Sequence, residues 1–507
     1  MSNLYDVIIA GGGPVGLFLA CELAMADVSV LVLEREPEPN SPSKVGLSGM
    51  RALNTASMDA FYRRGLLDKV TPPIKRPLNF QEKPGFQFAG QFAGIWLNAN
   101  RLDLKRFKYR IPGPSLDISL NPVSIAGIEA VLAPRAESLG ATILRGKNVT
   151  GVSQDEDAVT VEVGDEEFHA KWLVGCDGGR STVRKAAGFE FVGTEPTFTG
   201  YAVQADIDQP DKLKIGFHPT EDGMYVMMRA GNFHLLDFDG GFFDRTQNVT
   251  AAHIQDVLGR VTGTDVKITK LHHASSFTDR CKQAARYRNG RVLLAGDAAH
   301  IHSPLGGQGL NLGLGDAVNL GWKLAATVRD SRTRYGPVVD LSLLDTYEQE
   351  RRPFAAWVLE WTRTQVTVLK PGPHGAALRQ LMSDLVDTDD GHNLFLGRIW
   401  GLSQRHDLGD AHPLVGASAP DFEFSDGSRL GPKLEGARGL LVDFSDGAAL
   451  EKLAEGYKAR VDYVGGVGAR DQLGLSALLV RPDGIVAWVA EGSLDIEGAK
   501  AALMRWF

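Results

Sequence analysis

Residues 5–10 form an apolar run, Tyr5-Asp6-Val7-Ile8-Ile9-Ala10, that ends in Gly11-Gly12-Gly13-Pro14-Val15-Gly16. This spacing suits one task, holding a pyrophosphate against backbone N–H groups. Gly11 permits a tight turn, Gly13 lets the backbone approach the pyrophosphate at a helix N-terminus, and Gly16 lets helix and strand pack closely. Pro14 and Val15 lie inside the same turn and count as candidate binding residues. A second run, Val28 to Leu33, ends at Glu34, where a carboxylate can accept bonds from a ribose diol; Arg35 beside it is a further candidate. The competing reading is a Gly-rich turn in an ordinary βαβ unit. The fingerprint alone does not separate NAD from FAD.

Two later segments carry more chemistry. At Trp172-Leu173-Val174-Gly175-Cys176-Asp177-Gly178-Gly179-Arg180 a buried-type strand runs into an Asp-Gly turn, and Arg184 follows. At Arg291-Val292-Leu293-Leu294-Ala295-Gly296-Asp297 another strand ends in Gly-Asp. It is followed by Ser303-Pro304-Leu305-Gly306-Gly307-Gln308-Gly309-Leu310-Asn311 and a helical pattern. Gly306, Gly307 and Gly309 free the backbone to lie against a flat ring, and a helix starting at Leu310 and Asn311 would aim N–H groups at it.

Together these three segments resemble the signatures of the flavin-dependent aromatic hydroxylases, the group-A monooxygenases of the p-hydroxybenzoate hydroxylase type. Within that family the chain is most similar to the aromatic polyketide hydroxylases and to phenol-hydroxylase relatives with an extra carboxy-terminal domain. The resemblance implies bound FAD, NADPH or NADH as a transient reductant, and O2 as co-substrate. It implies an oxygen atom delivered from a C4a-hydroperoxyflavin to an electron-rich aromatic ring. Asp297 would accept bonds from the ribityl hydroxyls, the alternative being a helix cap. Asp177 with Arg184 would link the pyrophosphate to nicotinamide binding, the alternative being a structural turn. Lys44 and Arg51 would lie near the diphosphate, or else on a solvated face. Backbone near Pro304 and Gly306 is a candidate acceptor for a phenolic proton, and no side chain is assigned a catalytic role. Two positions depart from the family pattern: Ile125 stands where relatives carry a flavin-contacting glutamine, and Val45 where phenol-hydroxylase relatives carry an acid.

The elements that must position these residues imply an α/β fold. A discontinuous Rossmann-like FAD domain, residues 1–186 plus 284–410, carries a hairpin near 80–110. An antiparallel β-sheet substrate domain, 187–283, is inserted, and a thioredoxin-like domain, 411–507, follows. Phe88, Trp96, Met224, Met227 and Phe233 are candidates to line an apolar substrate cavity, with sheet core as the plainer reading. His218, His234, His300 and His302 receive no role.

Composition bounds the rest. The chain has 507 residues, of which 58 are glycine, and a net charge of −8, a sign that argues against nucleic acid or an anionic membrane as partner. The three cysteines, Cys21, Cys176 and Cys281, have no disulfide or zinc spacing. The early strand leaves no room for a leader, and no apolar run is long enough to span a membrane. A cytoplasmic monomer or homodimer acting on an aromatic small molecule is expected. Baeyer–Villiger insertion into a quinone or ketone would use the same motifs, and a catalytically silent flavoprotein partner is the rival from another class.

Overall fold

The computed structural model describes residues 4–41, 44, 49–71, 85–111, 113–117, 122–333, 340–445, 448–466 and 468–507. Val45, one of the two departures above, lies outside them.

The apolar runs of the sequence become the centre of a mainly parallel sheet. Six of its eight described strands lie in the order Arg288–Asn289, Val292–Leu294, Glu166–Gly175, Tyr5–Ala10, Val30–Glu34, Thr142–Arg145, and the hairpin Gly151–Gln154 with Val159–Val163 pairs antiparallel with Glu166–Gly175 through its second strand. Along the six-strand order only the first pairing is antiparallel. A parallel strand covered on both faces needs a continuous apolar run rather than alternation, and Val7, Ile8, Ile9 and Ala10 are fully buried. Ligands of such sheets bind outside the carboxyl ends of the strands, where strand order reverses. Here the chain leaves Tyr5–Ala10 for a neighbour on one side and reaches Glu166–Gly175 on the other. Gly11, Glu34, Cys176-Asp177 and Gly296-Asp297 all follow from adjacent strand ends at that edge.

The inserted antiparallel sheet has the order Gly216–Pro219, Gly223–Arg229, Asn232–Asp237, Thr199–Ile207, Ile268–Thr278. One face is covered by the helix Ala251–Thr262, whose Ile254, Val257, Leu258 and Val261 recur at helical spacing and are fully buried. Thr250 caps its start by accepting from the His253 N–H, and Gly263, at φ +65°, ends it. The other face meets a hairpin, Phe88–Phe92 with Ile95–Asn98, and the helices Ser342–Leu369 and Asp389–Ile399.

At the carboxy terminus a thioredoxin-like sheet runs Val461–Gly465, Gly439–Asp443, Leu475–Val480, Val486–Glu491, flanked by helices Ala448–Glu455 and Ile496–Trp506. Buried charge docks it on the helices Gly309–Thr333 and Ser342–Leu369. Arg481 donates to both carboxylate oxygens of Glu350, at 2.8 and 2.7 Å, and to Asp483. Lys323 donates to Glu350 at 2.8 Å. Arg64 joins the two parts a second time, clasping Glu22 at 2.6 and 2.7 Å and donating to the carbonyls of Leu434 and Pro482.

This cluster sets an acid limit on stability. Burial alone would raise the Glu350 carboxyl, but Arg481 and Lys323 override it and hold its pKa well below 4.5. As pH falls through the carboxylate range the unfolded chain takes up a proton that the folded chain refuses, so stability present above about pH 4.5 is lost below it. Urea midpoints measured from pH 6 to pH 3 are expected to fall through that window, and to fall less steeply in Glu350→Gln.

Candidate functional site

At the first fingerprint, glycine is required by backbone geometry. Gly11 sits at φ +107° with the Cys176 carbonyl oxygen 2.4 Å from where a Cβ would stand. A Cβ on Gly16 would lie 2.0 Å from the Gly11 carbonyl oxygen. Gly13 differs, because a Cβ there would meet nothing nearer than Glu129 Oε1 at 4.0 Å. The space before it, at the N-terminus of the helix Pro14–Ala24, is open to a ligand. Val15 packs against Gly296 and Gly313, locking this helix to the Gly-Asp loop.

Glu34 is buried and its Oε2 accepts from the Gly12 N–H at 2.6 Å, which holds the carboxylate at the lip of that space. Arg35 turns outward, 66% exposed, and pairs with Glu36. Lys44 reaches inward to Glu129 at 2.9 Å.

The Asp-Gly turn is organised around its own helix. Asp177 accepts from Ser181 Oγ at 2.5 Å and from the N–H groups of Thr182 and Val183 at 2.7 and 3.1 Å. Its carboxylate thus caps the helix Thr182–Ala186, the structural alternative at this position. Arg184 hydrogen-bonds the carbonyls of Ala298 and Gly179, both at 2.9 Å, and stacks over Phe191. It ties this turn to the Gly-Asp loop.

In that loop Asp297 alone is exposed between buried Gly296 and Ala298, and no hydrogen bond to it is seen among the described residues. Asp297 Oδ1 lies 3.9 Å from the Cβ position of Gly309, and a Cβ on Gly307 would meet nothing within 4 Å. The result is an open ledge of backbone leading to the helix Gly309–Thr333. Gly307 N–H closes a turn on the Pro304 carbonyl at 3.0 Å. The Asn311 side chain is fully committed, accepting from Asn54 N–H and donating to the carbonyls of Ala52 and Gly307. Asn311 and Leu310 therefore face the ledge through backbone N–H groups, at the positive end of the helix dipole.

Beneath the ledge is a network that sequence reading missed. Asp316, fully buried, accepts from Gly296 N–H at 3.0 Å, His300 Nε2 at 2.6 Å and Arg351 Nε at 2.8 Å. Burial would raise its carboxyl, but His300 and Arg351 bring it below the ordinary value. Asp316→Asn keeps the shape and removes the charge, so a loss of about 2 kcal/mol is expected from charged hydrogen bonds. Urea unfolding with an unchanged slope would check it. His302 donates from Nδ1 to the Ser303 carbonyl in the tautomer that this bond implies, which leaves Nε2 a buried acceptor without a partner among the described residues, facing Gly309.

Across from the ledge stands the inserted sheet. Met224, Val226 and Leu236 share its inner face with His234 and pack in one cluster with Phe92, Leu305 and Trp361. Arg51, on the strand Met50–Ala52, lies within electrostatic reach of both Asp297 and His234. Burial first, then the Arg51 charge, push the His234 pKa below its ordinary value. Two substrate candidates are corrected here. Met227 and Phe233 point to the opposite face and are buried against Ile254, Val257 and Leu258, because strand side chains alternate. Phe88 and Trp96 pack edge to face on the outside of the hairpin, 59% and 44% exposed, with Trp96 against Gly216.

A separate cavity of about 70 Å³ lies behind the ledge, against the carboxy-terminal domain. Arg63, Arg110 and Arg351 line it, but each is already bonded to protein acceptors.

The open space at Gly13, the exposed Asp297 and the bare ledge at Gly307 suit an extended dinucleotide ending in a flat ring, as FAD does. The comparisons agree. Residues 4–362 match the FAD binding domain model, and residues 412–507 match the aromatic-ring hydroxylase C-terminal model. A protein of Claviceps purpurea described as a monooxygenase is 48% identical over 508 residues, covering 100% of this chain and 98% of that one. The 12-dehydrotetracycline 5-monooxygenase/anhydrotetracycline 6-monooxygenase of Streptomyces rimosus is 39% identical, covering 99% of each. The solved anhydrotetracycline hydroxylase from Streptomyces rimosus superposes with a TM-score of 0.83 at 36% identity, covering 100% of this chain and 99% of that one.

Proposed function

The chain belongs to the FAD-dependent aromatic-ring hydroxylases, and from that premise we propose that it hydroxylates an electron-rich ring of a polycyclic, polyketide-like phenol with NADPH or NADH as reductant. The observation that supports this reading best is the ledge itself. Asp297, the Gly307–Gly309 backbone and a helix N-terminus line one wall, and a mostly apolar sheet face carrying the His234 imidazole stands opposite.

When bound, FAD would supply the redox chemistry, with NADPH or NADH as the source of electrons and O2 as the source of the oxygen atom. The protein's residues do the rest. Asp297 would hold ribityl hydroxyls, and Glu34 with Gly11, Gly13 and Gly16 would hold the adenosine diphosphate half. N–H groups of Leu310 and Asn311, at a helix N-terminus, would stabilise negative charge on a reduced ring held at the ledge. His234, kept neutral by burial and Arg51, accepts from a substrate hydroxyl, and the Pro304 carbonyl is a second acceptor. Met224, Val226 and Leu236 exclude water. In this reading the flavin unit is residues 1–186 plus 284–410, 187–283 is the substrate wall, and 411–507 is a docked brace. The two relatives named for anhydrotetracycline favour a multi-ring substrate.

The test is NADPH and NADH oxidation by holoenzyme against phenols of one, two and four fused rings, with product mass recorded. A product heavier by one oxygen, formed preferentially from the larger rings, is expected. Oxidation without any oxygenated product from any ring system overturns the reading.

A further inference from the structure

Glu129 is on the buried face of the helix Ile125–Ser138, which packs on the helix Pro14–Ala24. Its side chain is 1% exposed. Oε2 accepts from Lys44 Nζ at 2.9 Å, while Oε1 is enclosed and has no hydrogen-bond partner among the described residues. That oxygen borders the space in front of Gly13, 4.0 Å from where a Cβ would stand. An enclosed carboxylate oxygen without a donor costs about 1–3 kcal/mol or more, so the group that fills this space should bring a donor.

Lying one helical turn after Ile125, Glu129 is on the same helix face. We propose that Glu129 is a cofactor ligand whose free oxygen accepts a hydrogen bond from a sugar-type hydroxyl of FAD, the contact toward this helix that an isoleucine at position 125 cannot make. The choice of donor follows from the dinucleotide's chemistry. Its phosphates carry only acceptors and repel a carboxylate, and the ring N–H groups lie at its two ends. The hydroxyls flank the diphosphate on both sides, on the adenosine ribose and on the ribityl chain. Lys44 completes the arrangement by offsetting the Glu129 charge beside the diphosphate, and burial, which raises the Glu129 carboxyl, is opposed by the same Lys44.

The proposal rests on the FAD reading above, and the test separates the two. Full-length apoprotein of wild type, Glu129→Leu and Glu129→Gln is titrated with FAD and with ADP, by flavin fluorescence quenching and by calorimetry, and the apoproteins are also melted. Glu129→Leu is expected to raise the FAD Kd by about tenfold or more, with Glu129→Gln within about threefold of wild type because an amide retains an acceptor. Glu129→Gln should keep the wild-type apoprotein melting temperature, because the amide oxygen can still accept from Lys44; Glu129→Leu loses that bond too, so its FAD affinity is read against its own melting curve. ADP weakened in parallel assigns the hydroxyl to the adenosine ribose; ADP unchanged assigns it to the ribityl chain. Wild-type FAD affinity in Glu129→Leu overturns the proposal, as does a loss of affinity that tracks a loss of apoprotein stability. Failure of wild type itself to bind FAD removes the FAD reading and this inference with it.

Discussion

Gly16→Val is expected to yield a folded but colourless protein, with FAD affinity reduced by more than about a hundredfold. The position has no room for a side chain. Even a single Cβ would stand 2.0 Å from the Gly11 carbonyl oxygen and 3.2 Å from Ile9 Cγ2. The nearest obstacle is backbone, so the helix Pro14–Ala24 must move away from the strand Tyr5–Ala10. That shift displaces the N–H groups which the pyrophosphate needs at the helix start. At about 1.4 kcal/mol per tenfold, a hundredfold loss needs only about 3 kcal/mol, within reach of a forced backbone rearrangement in a packed core. Flavin absorbance per mole of purified protein, with an unfolding curve to show that the chain still folds, reads the outcome directly.

Arg481→Met is expected to be the most damaging change to stability, at about 3–5 kcal/mol. The buried cluster now balances two cations, Lys323 and Arg481, against two carboxylates, Glu350 and Asp483. Removing Arg481 leaves two buried acids facing one ammonium. Because Glu350 belongs to the helix Ser342–Leu369 and Arg481 to the carboxy-terminal domain, the damage falls on the docking between them. A second substitution, Glu350→Met, restores the charge balance, so the double variant should recover part of the loss. Such a shortfall from additivity is what neighbours in one network show. Denaturant unfolding of the four proteins of that cycle checks it. Additive losses would mean that the cluster does not act as a unit.

What was legible in the sequence was local. Gly11, Gly13 and Gly16 follow from backbone geometry within one turn, and the Gly296 to Asn311 segment carries its ledge in contiguous residues. Their placement at one sheet edge follows from each being preceded by an apolar strand. What escaped depended on partners far away in the chain. Asp316 gains its meaning from Gly296, His300 and Arg351, and Glu129 from Lys44 and Gly13. Helical spacing does put Glu129 on the face of Ile128, Leu132 and Ala136, but nothing in the Ile125–Ser138 segment names its partners.

The substrate wall shows an intermediate case. Met224 and Met227 are three residues apart on one strand, an odd spacing, so alternation forbids both from lining the same wall. Parity was available from the sequence, but which parity faces the ledge was decided by the helix Ala251–Thr262 covering the other side. Asp177 shows a motif whose residue type is right for two roles. Its three bonds to Ser181, Thr182 and Val183 show which one its geometry serves.

In the proposed reaction an oxygen atom from O2 is placed on an aromatic carbon at the ledge between Asp297 and the inserted sheet. Turnover of holoenzyme with NADPH under 18O2, using the best substrate from the ring-size series, tests it most directly. The account predicts a phenolic product two mass units heavier than that formed under 16O2, with the label on a ring hydroxyl. Label found in a lactone or ester, or an unlabelled product with all consumed O2 recovered as hydrogen peroxide, would contradict it.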